Sequence, residues 1–225
     1  PGLIVSAIKP SPVTARHVVG QALPDLVLGC LHHIIPDKIP AESSGALWTI
    51  SLIHEGNRPF NSLNVALGGM GARPNGDGLS TTAFPSGVGS IPIEIVENEA
   101  PVIYEMKEFM ENSGGMGKYR GGLGQKIVIK CIQNKTMKIS AAAFEKITKG
   151  SSGLQGGFNG SPGKVEISDG TKITDKGTYE IPAGEKVLLI TPGGGGYGNP
   201  IDRDQNLINN DLRLGLVTKE KNKKN

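Results

Sequence analysis

Asp77 has the neighbours best suited to chemistry. It lies in GGMGARPNGDGLSTTAFPSGVGSIPIE, residues 68–94, with glycine on either side. Backbone N–H groups could hold its carboxylate there and a ligand could approach closely, although Asn-Gly-Asp-Gly equally suits a plain turn. Gly71 to Gly76 has the spacing of a phosphate-binding loop, but Asp77 and Gly78 follow where that loop requires Lys and Ser or Thr. An anion in place of the cation excludes phosphate binding of that type. GGLGQK at 121–126 is not a dinucleotide fingerprint either, and it precedes a strand pattern instead of a helix. The histidines are His17, His32, His33 and His54, and none stands at a zinc-binding spacing. His17 carries the most functional weight, because Arg16 and His17 open an otherwise apolar segment with two polar groups. Ser80, Ser86 and Ser113 sit in no nucleophile elbow, and Glu94, Glu97 and Glu99 read as a solvated acidic patch.

The elements that must position these residues follow from periodicity. Within Val13 to Ile35, the residues Val18, Val19, Ala22, Leu23, Leu26, Val27, Cys30, Leu31 and Ile34 recur at helical steps, which predicts a buried helix. Pro24 predicts a kink there, or a break into a helix pair with Pro24-Asp25 in the first turn of the second. Ser43 to Gly56 alternates as a strand up to a turn at Glu55-Gly56-Asn57, and Pro59 to Leu67 is its return. Residues 68–94, dense in glycine and broken by three prolines, predict a long ordered loop. Strands are expected at Ile91 to Val96, Val102 to Phe109, Lys126 to Ile132, Met137 to Phe144, Lys164 to Ser168 and Glu185 to Thr191. Turn chemistry such as Asn134-Lys135 and Asp169-Gly170 separates them. Asn206 to Leu216 is expected to close the chain as a helix. The fold class expected is α+β: an N-terminal buried helix or helix pair, a glycine-rich central loop and a β-rich C-terminal half. The regions divide as 1–112, helix plus strands carrying the glycine-rich loop; 113–217, β-rich; and 218–225, a disordered basic tail.

Composition narrows the function classes. The chain has 33 glycines in 225 residues, about twice the usual share, without the three-residue sequence period of collagen. Its net charge of +3 is that of the tail KEKNKKN at 219–225, so the body is neutral and offers no electrostatic footprint for nucleic acid. Cys30 and Cys131 lie in apolar segments without disulfide or metal spacing and read as reduced core residues of a cytoplasmic protein. No signal peptide and no membrane-spanning run is evident. The Pro-punctuated start from Pro1 has the character of an internal piece of a longer chain.

Four segments together, TARHVVGQALPDLVLGCL (14–31), GGMGARPNGDGLSTTAFPSGVGSIPIEIVE (68–97), SGGMGKYRGGLGQ (113–125) and TPGGGGYGNP (191–200), resemble in order and spacing the hydantoinase B/oxoprolinase family. The resemblance runs to about Val217 and covers the C-terminal portion of that family's B-type subunit. It implies part of an ATP-dependent hydrolase of cyclic amides, of the N-methylhydantoinase or 5-oxoprolinase kind, inactive in isolation. In such enzymes ATP is bound by an A-type partner subunit, which activates a substrate oxygen by phosphoryl transfer, and the B-type part completes the reaction. A divalent metal would belong to the N-terminal half of the subunit, which the resemblance does not reach, so no metal ligand is assigned here. The partners implied are the A-type subunit, that N-terminal half and a small cyclic amide, within an oligomer. A ketone carboxylase subunit and a non-catalytic assembly module are the alternatives. Carried onto these residues, the resemblance implies catalytic roles for Asp77 and His17. It implies substrate contacts from Arg16, Gly68, Gly69, Gly71, Gly78 and Ser80, with glycine N–H groups serving a developing oxyanion. Ser90 stands where the family often has Asn.

Overall fold

The computed structural model describes every residue except 1, 4, 12, 14, 57, 58, 134, 224 and 225. Asn57 and Asn134 of two expected turns, and the last two residues of the expected tail, therefore lie outside the described residues.

Alternation of apolar and polar residues builds two four-stranded antiparallel sheets. One has the order β2-β1-β5-β7, from Phe60–Leu67, Leu47–His54, Met137–Ser140 and Thr178–Ile181. The other has the order β3-β4-β8-β6, from Val102–Phe109, Gln125–Cys131, Lys186–Ile190 and Lys164–Ile167. Every second residue of β1 (Trp48, Ile50, Leu52) and of β4 (Ile127, Ile129, Cys131) is buried, and these meet Ile139, Ile167, Val187 and Leu189 in one shared core. The architecture is α+β, as expected. Among the described residues no helix is long and apolar enough to cross a membrane.

Several local expectations change. The first helix, α1, runs unbroken over His17–Leu31 with Pro24 inside it. The missing N–H of Pro24 leaves the carbonyl of Gly20 without its intrahelical donor, and Gly20 is exposed, so water can satisfy it. Nor is α1 buried: Gln21 is its one buried residue, and Leu26 and Val27 are 65% and 55% exposed. Cys30, expected in the core, is exposed with it, whereas Cys131 is buried. Residues expected as a strand at 91–96 instead contribute to a short helix, α2 (Ile93–Glu99). The alternating isoleucines do not share a buried face: Val96 is the buried residue of α2, Ile93 packs half-buried against the core, and Ile91 and Ile95 are 38% and 48% exposed. Strand β7 has no counterpart in the sequence expectations. The C-terminal helix α3 covers Gln205–Arg213, and Lys219–Lys223 of the tail forms a short helix, α4.

The three glycine clusters form a second structural unit beside the sheets. Gly69 and Ala72 donate to the carbonyls of Pro192 and Gly195, while Ala41 and Ser44 donate to Ala72 and Gly69. Gly78 and Thr81 donate to Arg120 and Leu123, and Phe158 and Ser161 donate to Met116 and Ser113. Gly193 and Gly196 donate in turn to Ser161 and Phe158. In each pair both donors and acceptors are three residues apart, which is the repeat of a polyproline II helix and not the two-residue repeat of a strand. Residues 41–44, 69–72, 78–81, 113–116, 120–123, 158–161 and 192–196 are thus threads of a bundle, the chain folding back on itself between residues 72 and 78 and between 116 and 120. Glycine is required because the threads touch backbone to backbone: a Cβ on Gly69 would overlap the Gly122 carbonyl, and one on Gly121 the Gly194 carbonyl.

Candidate functional site

Asp77 lies at the edge of this bundle and is held by Arg203, in the short link that leads into α3. Asn199 caps a 3-10 turn at Pro200–Asp202, which delivers Arg203, and Asp204 then caps α3 and sets Asp211 on its inner face. Arg203 grips Asp77 with both terminal nitrogens at 2.8 Å and reaches Asp211 at 2.7 Å. The Arg120 backbone N–H donates to Asp77 at 2.7 Å, and its guanidinium Nε lies 3.3 Å from Asp211. Burial disfavours ionisation of Asp77, but Arg203 and Arg120 outweigh it and hold the carboxyl below its ordinary range. These contacts fasten the hairpin at 69–81 to the segment that precedes α3.

The glycine N–H groups expected to face an oxyanion are likewise engaged. Gly68 donates to Ala46, Gly69 to Pro192, Gly78 to Arg120, and Gly71 to the Ser43 hydroxyl. Ser80 Oγ accepts from the Leu123 N–H. These residues do not fit a nucleotide phosphate, since the amides that would cradle it are donated within the bundle. Among the described residues no group of three or more His, Cys, Asp and Glu side chains is placed to hold a metal ion. His17 is exposed at the start of α1, with Nε2 3.5 Å from Thr49 Oγ1, and Arg16 precedes it. No hydrogen bond or ion pair joins Arg16 or His17 to Asp77 among the described residues.

A separate cavity of about 810 Å³ opens between α1 and the bundle threads. α1 roofs it with Val18, Ala22, Asp25 and Leu26, residues at the spacing of one helix face, and Glu42 and Lys146 lie at its floor. Lys146 pairs with Glu42 at 2.7 Å and donates to the Ser43 carbonyl at 2.6 Å, while the Ser152 N–H donates to Glu42 at 2.6 Å. Burial works against the Glu42 charge, but Lys146 and the Ser152 amide leave its carboxyl below the ordinary range. Asp25 accepts the Ser43 N–H at 3.2 Å and has no ion-pair partner of its own among the described residues. Burial pushes its carboxyl up to about 6, against the opposing pull of that N–H and of Lys146. A half-buried carboxyl whose proton affinity is raised, placed at an open cavity, has the chemistry of a hydrogen-bond acceptor or proton carrier. Sequence reasoning passed over Asp25 as part of a helix start. The available signal was one acidic residue in the middle of an apolar helical stripe.

Residues 1–200 match the family model described as hydantoinase B/oxoprolinase. The chain is 36% identical over 215 residues to an uncharacterised protein of Methanocaldococcus jannaschii, covering 93% of this chain and 37% of that protein. To the putative B-type subunit of a D-/L-hydantoinase from a Pseudomonas species it is 26% identical, covering 98% of this chain and 38% of the relative. The crystal structure of the ATP-dependent caprolactamase from Pseudomonas jessenii superposes with a TM-score of 0.75 at 24% identity, over 84% of this chain and 35% of that one, a likeness of fold. This chain thus spans less than two-fifths of the length of each of these proteins.

Proposed function

We propose, because the chain belongs to the hydantoinase B/oxoprolinase family over residues 1–200, that it is the C-terminal part of the B-type subunit of an ATP-dependent hydrolase that opens small cyclic amides. The family match carries this reading. The relative named for a D-/L-hydantoinase and the shared fold with an ATP-dependent caprolactamase support it. ATP is assigned to an A-type partner subunit, because the glycine amides of this chain are already donated within the bundle.

Within such an enzyme the bundle is the rigid frame. Asp77, Gly68, Gly69, Gly71, Gly78 and Ser80 keep its threads in register, and preorganisation of this kind is what a site needs from its scaffold. Arg16 and His17 stand at the start of α1 outside the bundle, and we assign them to contact with substrate or with the partner. Among the described residues no self-sufficient catalytic set is assembled, and we assign activity to the assembly with the A-type subunit and the remainder of the B-type subunit. The test is phosphate release by the assembled enzyme with a lactam or hydantoin, or with a ketone plus bicarbonate. Release dependent on the cyclic amide supports the reading. Release dependent on ketone and bicarbonate alone would replace it with a carboxylase.

A further inference from the structure

Few side-chain hydrogen bonds hold α1 above the cavity. Gln21 Nε2 donates to Ser86 Oγ at 2.9 Å, Asp25 accepts the Ser43 N–H at 3.2 Å, and His17 lies 3.5 Å from Thr49. The volume of this open cavity, about 810 Å³, falls in the range of small-molecule sites. Its walls are mainly apolar: Val18, Ala22, Leu26 and Cys30 from α1 face Ile39 and Leu154. The charges at the floor satisfy one another, since Lys146 holds Glu42 and the Ser43 carbonyl. Asp25 is different. Its Oδ2 takes the Ser43 N–H, and its Oδ1 has no hydrogen-bond partner among the described residues. The space therefore offers one solvent-accessible acceptor in mainly apolar surroundings, and such an acceptor orients a ligand that brings an N–H donor.

We propose that this cavity binds a small, largely apolar cyclic amide whose N–H donates to Oδ1 of Asp25, while the ring fills the space beneath Val18, Ala22 and Leu26. The choice of a cyclic amide among N–H donors rests on the hydrolase reading above.

Cys30 supplies the readout, because it is exposed at the cavity while Cys131 is buried. The rate of alkylation of the native chain by N-ethylmaleimide is measured with increasing ε-caprolactam, and with N-methylcaprolactam, which has the same ring without the donor. Saturating lactam is expected to slow the reaction at Cys30 at least fivefold, and the N-methyl compound to leave it unchanged. Asp25→Asn keeps an acceptor for Ser43 but turns an NH2 toward the ligand, so it should raise the half-protecting lactam concentration at least tenfold. Ala22→Trp fills the space and should abolish protection relative to its own unliganded rate, with circular dichroism confirming the fold. Absence of protection in the wild-type chain, equal protection by the N-methyl compound, or unchanged protection in Asp25→Asn would overturn the proposal. The assay contains neither ATP nor a partner. Protection without amide-dependent ATP turnover in the assembled enzyme would therefore sink the hydrolase reading alone, and turnover without protection would sink this one.

Discussion

Replacing Asp25 with asparagine should stabilise the protein at neutral pH and leave it unchanged in acid. The carboxyl is carried by burial from an ordinary 3.8 to about 6. Folding therefore strengthens its hold on the proton. Below about pH 4 both the folded and unfolded chains are protonated there, and the site costs nothing. Between about pH 4 and 6 the unfolded chain ionises first, so stability falls as pH rises. Above about pH 6 both forms are ionised and the whole cost remains, about 3 kcal/mol for a difference of this size. The Ser43 N–H and Lys146 already reduce that cost, and Glu42 adds to it. The amide of Asp25→Asn would keep an oxygen for the Ser43 N–H while removing the buried charge, so at pH 7 the variant should gain up to about 3 kcal/mol.

Urea unfolding at pH 4 and pH 7, followed by fluorescence of the buried Trp48, measures the global effect. Hydrogen exchange of the α1 amides measures the local one, because the penalty felt globally cannot exceed the free energy that holds α1 down. Asp25→Asn is expected to slow exchange in α1 at pH 7 and to match wild type at pH 4. A variant less stable than wild type at pH 7, or a difference of the same size at both pH values, would refute the burial argument.

Arg203→Met should cost about 3–5 kcal/mol in urea unfolding, since it leaves Asp77 and Asp211 facing each other without their shared cation. The Asp77 carboxyl is held below its ordinary range, so its contribution is present above 3.8 and is lost as pH falls through the depressed value; Asp77→Asn should flatten that part of the acid unfolding curve. Gly69→Ala and Gly121→Ala should prevent folding, read as loss of soluble chain, because each Cβ meets a carbonyl of a neighbouring thread. Gly20→Ala, on open helix surface with nothing within 4 Å, should instead stabilise by up to about 1 kcal/mol in the same assay. Mass spectrometry of the native chain after brief alkylation should find Cys30 modified and Cys131 unmodified.

The sheets were legible because their signal is local. In β1 and β4 each inward residue is two positions from the next, and burial of Trp48, Ile50, Ile127 and Ile129 follows that alternation. The same rule misread Ile91, Ile93 and Ile95, where α2 buries Val96 and uses the Glu97 carboxylate to accept the Tyr104 N–H at 2.7 Å. The glycine clusters announced themselves by density, but their three-residue pairing joins Ala41 to Ala72 and Ala72 to Gly195, which no local pattern carries. Asp77 was expected as a carboxylate held by backbone N–H groups, and the Arg120 N–H does hold it, but its principal partner, Arg203, is 126 residues away and leaves no local signal. Helix α1 was legible as a helix and illegible as a roof, because periodicity shows that a face is apolar without showing what lies beneath it.

We propose that this chain serves an enzyme that hydrolyses cyclic amides. Mass spectrometry of the products made by the assembled enzyme, supplied with ATP, bicarbonate, a lactam and a ketone together, tests it most directly. The account predicts the ring-opened amino acid, formed only when ATP is consumed. A carboxylated ketone with the lactam untouched would contradict it.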